Sequence, residues 1–121
     1  MVGVAFAESG SQNGEAEAAF QQALALNPSN LKANRTLAVL LAQRGNYAQA
    51  EIYARRAVRL APNDALAHDL LGLALDFLSQ SGAAISEFEQ AVRLDPSDQS
   101  FREHYQVTLA KLRSRTAVRG R

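Results

Sequence analysis

The chain has 121 residues, 47% apolar and 21% charged, the balance of one ordinary globular domain. It has no cysteine, which excludes a disulfide framework and a thiolate zinc site. The net charge of +1 hides an asymmetry. Residues 111–121 hold Lys111, Arg113, Arg115, Arg119 and Arg121 with no acid, and the remainder of the chain is net acidic.

No stretch approaches the ~18 apolar residues of a membrane span. No basic region precedes an apolar run at the N-terminus, so no signal peptide is read and the expected location is cytoplasmic. The apolar content leans on alanine and leucine, with few β-branched residues and no Trp, which favours helix throughout.

The three prolines, Pro28, Pro62 and Pro96, are spaced 34 residues apart, and other positions keep the same interval. Ala16, Ala50 and Ala84 recur with it, as do Leu26, Leu60 and Leu94, and Asn30, Asp64 and Asp98. Self-similarity at this period predicts stacked supersecondary units.

The first unit (about 1–30) reads as a short opening helix from Met1 and a second helix from Glu15 to Leu26. A loop is expected between them at Gly10–Gly14. In the second unit (31–64), Leu31, Leu37, Ala38 and Leu41 form one helical stripe. Gly45-Asn46 breaks the pattern, and a second helix follows to Leu60. The third unit (65–98) repeats this with Leu71, Gly72 and Leu75, a turn at Ser79–Gly82, then Ala84, Phe88, Ala91 and Leu94.

Each proline closes a unit, and Asn30, Asp64 and Asp98 are placed to cap the following helix. Alanines and Gly72 permit close helix approach, to ~8–10 Å. A last helix (99–112) reads as a cap over the final hairpin, and 113–121 as a basic, disordered tail.

These residues resemble the tetratricopeptide repeat family, whose pattern is W-x2-L-G-x2-Y, then A-x3-F, then P at a period of 34. The third unit reads His68-x2-Leu71-Gly72-x2-Leu75, Ala84-x3-Phe88 and Pro96. The second reads Asn34-x2-Leu37-Ala38-x2-Leu41, Ala50-x3-Ala54 and Pro62, and the first Val2-Gly3-x2-Phe6, Ala16-x3-Phe20 and Pro28. Ala54 stands in the Phe slot, so Tyr53 or Tyr47 is expected to fill the space. The resemblance implies an all-α fold over residues 1–112, a right-handed α-α superhelix of tandem helix-turn-helix repeats with a C-terminal capping helix. It further implies a concave groove lined by the first helix of each hairpin, and an adaptor or scaffold that holds a protein or peptide partner rather than an enzyme.

The expected groove residues are Lys32, Arg35, Val39 and Gln43 in the second unit and Asp69, Leu70, Leu73 and Phe77 in the third. Glu103, His104 and Val107 continue the surface on the capping helix. Leu70, Leu73 and Phe77 lie at i, i+3 and i+7 on one face, and Val39 and Val107 flank Leu73 by one repeat on either side. Two readings stand: an apolar strip that accepts a partner segment, or side chains buried between neighbouring helices. A subfamily of these repeats grips C-terminal carboxylates with basic and asparagine residues. Thr36, Leu70, Ser100 and His104 occupy the matching slots here, which argues against that clamp.

Asp69 and Asp76 are two turns apart, about 10 Å along a helix, too far to share one ion. His68 reads as a packing residue in the aromatic slot. No catalytic triad, P-loop or metal motif is present, and no cofactor is expected. Two alternatives remain from the sequence. One is self-association through apolar edges at Met1, Val4, Phe6 and Phe20. The other is weak nucleic-acid or acidic-surface binding through the basic tail, which has no aromatic residue to stack on bases.

Overall fold

A computed structural model describes the backbone of residues 2–119 and the side chains of residues 14–115. The chain forms α1 (Val2–Leu26), α2 (Leu31–Gln43), α3 (Tyr47–Leu60), α4 (Ala65–Phe77), α5 (Ser81–Leu94) and α6 (Gln99–Arg119), with no strand among the described residues. Helices neighbouring in sequence are neighbours in space. α2 pairs with α3 and α4 with α5, α1 packs on α2, and α6 covers α5. The result is a solenoid whose first helices, α2 and α4, with α6 beside them, form one continuous face.

The boundaries follow from local chemistry. Asn30 caps α2 by accepting from the Ala33 amide at 3.0 Å. Asp64 caps α4 through the Leu66 and Ala67 amides, and Asp98 accepts from Phe101 at the start of α6. The turns inside the hairpins need a residue with positive φ. Gly45 supplies it at 81°, and one repeat later Ser79 takes the same conformation at 65° without glycine's freedom.

One device recurs at every joint between units. Asn34 Nδ2 donates to the Pro28 carbonyl at 3.2 Å, His68 Nε2 to the Pro62 carbonyl at 2.7 Å, and Arg102 Nη1 to the Pro96 carbonyl at 3.3 Å. All three donors stand six residues after the proline, in the slot that the repeat pattern gives to an aromatic residue. His68 is therefore more than the packing residue expected of it: its other ring nitrogen, Nδ1, lies 2.8 Å from the Glu87 carboxylate of α5.

The core is built from the small and large positions that the repeat alternates. Leu70, Leu71, Leu75 and Phe88 form the main cluster with Ala38, Ala54 and Ala84. Gly72 lets the Phe88 ring lie against α4, because a Cβ there would meet Phe88 Cε1 at 2.6 Å. Beside Ala54, Tyr53 packs against the three apolar clusters found among the described residues, while Tyr47 stacks on Phe77.

Three expectations are corrected. α1 runs without the break foreseen at Gly10–Gly14. Its three glycines, Gly3, Gly10 and Gly14, are isolated, each costing a helix ~1 kcal/mol against alanine, and no proline interrupts it. The segment foreseen as a disordered tail from Arg113 continues α6 to Arg119, since Ala110, Lys111, Leu112, Arg113 and Arg115 are strong helix formers and the next breaker is Gly120. Phe20, foreseen as an open edge, is partly buried against Leu24, Ala33 and Leu37. The side chains of Met1, Val4 and Phe6 lie outside the described residues.

Candidate partner-binding groove

Two recesses open on the face spanned by α2, α4 and α6. The first, of about 310 Å3, is lined by Lys32, Arg35, Thr36 and Val39 of α2 and Leu66 of α4. The second, of about 350 Å3, lies between α4 and α6, with Leu73, Phe77 and Val107 on its walls and Phe88 beneath. Glu103, His104 and Asp76 supply its polar edge.

The helical repeat explains why these side chains meet. Val39, Leu73 and Val107 hold one slot in three successive units, and Gln43, Phe77 and Lys111 hold another. Val39 and Leu73 are half-buried against the core, whereas Phe77 and Val107 are each 60% exposed. An apolar side chain left this open on a concave surface is a candidate anchor for another molecule.

Polar contacts then sort the charged residues. Arg35 Nη1 donates to Asp64 at 2.6 Å, tying α2 to the cap of α4. His104 Nδ1 donates to Asp69 Oδ1 at 2.8 Å, and the His104 ring lies 5.6 Å from that of Phe88. Burial pushes the Asp69 carboxyl above the ordinary carboxylate value. The hydrogen bond and charge of His104 pull it back, and Asp98 adds a smaller upward push. Asp76 accepts from Ser81 Oγ at 3.0 Å and from Lys111 Nζ at 2.9 Å. Among the described residues, no group of acids and histidines is placed to hold a metal ion.

The expected site residues divide accordingly. Lys32, Arg35 and Val39 meet in the first recess; Leu73, Phe77, Glu103, His104 and Val107 meet in the second. Gln43 is exposed and lines neither. Leu70 belongs to the core, because its α4 position turns it toward Ala38 and Leu71. Asp69 is buried beneath His104 and faces inward. Sequence reasoning missed Tyr47, which stacks on Phe77 at the groove rim. Its signal was its slot: Tyr47 stands one repeat before Ser81, the residue that reaches Asp76 at the same corner of the next hairpin.

Stacked helix pairs with an open concave face define a helical-repeat scaffold. Residues 9–74 match a family model described as tetratricopeptide repeat, and residues 65–98 match a second of the same description. The chain belongs to the tetratricopeptide repeat family, whose proteins are typically non-enzymatic interaction modules. No curated protein matched the sequence.

Among solved structures it is similar to MamA 41-end from Desulfovibrio magneticus RS-1, with 30% identity and a TM-score of 0.79 over 97% of this chain and 66% of that one. It is also similar to a MamA RS-1 ArsTM double mutant, with 30% identity and a TM-score of 0.79 over 90% and 61%. The chain thus spans less than two thirds of these relatives. The first TPR of Spaghetti (RPAP3) bound to the HSP90 peptide SRMEEVD, 19% identical, shares the fold with a TM-score of 0.81 over 86% of this chain and 82% of that one.

Proposed function

We propose that this chain is a protein–protein interaction module that captures a segment of a partner protein on the face spanned by α2, α4 and α6. The observation that carries the reading is Phe77, a large apolar side chain 60% exposed on the wall of the α4/α6 recess. Phe77 adjoins other apolar side chains in a concavity, and covering such a patch from water favours binding. Leu73 and Val107 extend the apolar surface on either side, and Val39 continues it toward α2. The peptide-bound RPAP3 domain is in keeping with capture of an extended segment, on the strength of fold alone.

Covering what remains open of Phe77, Val107 and Leu73 contributes, for each, less than the ~1.5–3 kcal/mol of a fully exposed side chain before association costs, which supports micromolar rather than tighter affinity. The test is selection of binders from a random dodecapeptide library on the full chain, followed by anisotropy titration against the wild type and Phe77→Glu. The variant is expected to keep its helicity and to lose at least tenfold in affinity. A folded Phe77→Glu that binds the selected peptides equally well removes the reading.

A further inference from the structure

The groove face carries charged residues of both signs, and several of them are held by partners within the chain. Arg35 is held by Asp64, Asp76 by Lys111, and Asp69 by His104. Two charges are left over. Lys32, exposed on the α2 recess, has no acidic partner among the described residues. Glu103, exposed on the α4/α6 recess, accepts only a neutral hydrogen bond from Gln99 Nε2 at 2.8 Å. The α2 recess therefore carries an unpaired cation and the α4/α6 recess an unpaired anion, on a face that also presents Val39, Leu73, Phe77 and Val107. The exposed Arg113 and Arg115 lie farther along α6, outside that recess.

We infer that the partner segment is dipolar: an acidic residue over Lys32, a large apolar residue in the Phe77 recess, and a basic residue beside Glu103. This rests on the docking reading above and specifies the partner's chemistry. Successive groove helices are separated by roughly 10 Å, so the face from α2 to α6 spans on the order of 20 Å. An extended chain covers that distance in about six residues. Opposite charges at the two ends also fix the direction in which the segment lies, because a reversed segment brings like charges together. The arrangement differs from a groove that is basic throughout, which selects acids alone.

Sequencing the library binders tests this, with Glu103→Lys and Lys32→Glu as companions to the wild type. Both residues are exposed and leave the core and caps untouched. Wild-type binders that depend on Phe77 are expected to carry an acid and a base about six positions apart around a large apolar residue. Glu103→Lys is expected to weaken these peptides at least fivefold at low salt and to select binders with acid in place of the base. Lys32→Glu is expected to shift selection the opposite way. Phe77-dependent binders with acids only, or with no charge bias, overturn the inference while leaving the docking reading intact. The absence of any Phe77-dependent binder overturns the docking reading itself.

Discussion

Phe77, at the end of α4, lies face to face with Tyr47, at the start of α3, with ring centroids 4.3 Å apart and planes within 4°. The two residues belong to different hairpins, so the contact joins one unit to the next at the groove rim. It also holds the Phe77 ring in a single orientation before any partner arrives, which lowers the ordering cost of binding.

A double-mutant cycle with Tyr47→Ala and Phe77→Ala is expected to show a coupling of about 0.5–1.5 kcal/mol in urea unfolding. Additive losses would mean that the rings lie together without stabilising each other. Tyr47→Ala is also expected to weaken the selected peptides by a smaller factor than Phe77→Glu, measured by the same titration.

Two glycine replacements are expected to move in opposite directions. Gly72→Ala drives a Cβ into the Phe88 ring, and overpacking of this kind costs about 1–3 kcal/mol. Gly82→Ala, early in α5 with nothing within 4 Å of the new Cβ, is expected to stabilise by up to ~1 kcal/mol through helix propensity and a less flexible unfolded chain. Thermal melts of the two variants check both signs.

Asp69 gives a pH dependence of defined sign. Burial raises its folded-state pKa above the ordinary 3.8, so the folded chain holds this proton more tightly than the unfolded one. The associated stability is fully present below 3.8 and is lost as pH rises through the folded value. Relative to Asp69→Asn, the wild type is expected to lose stability over that window. Urea unfolding from pH 3.5 to 7 measures the difference, and parallel curves for the two proteins would contradict it.

The repeat interval made the hairpins readable because every packing slot is sampled more than once. The caps at Asn30, Asp64 and Asp98, the turn at Gly45 and the close approach at Gly72 all follow from positions that recur. The ends of the chain were less legible for the same reason: α1 and the far part of α6 are not held to the pattern by a neighbour on both sides, so local helix propensity decides them. Within the groove, spacing identified the face that Leu70, Leu73 and Phe77 share but not its edges. Leu70 and Phe77 are two turns apart, and only the angle at which α4 meets its neighbours makes one core and the other open. Which charges are neutralised was likewise out of reach, because Arg35–Asp64 and Lys111–Asp76 join residues 29 and 35 positions apart across separate helices.

The side chains six residues beyond each proline have a consequence for what the groove can accept. Asn34, His68 and Arg102 latch the bend before their own helix by donating to the proline carbonyl, Asn34 and His68 from buried positions inside the joint. The exit of each of these helices from its bend is thereby restrained by local bonding. The chain itself therefore favours one curvature of the wall that an incoming segment meets.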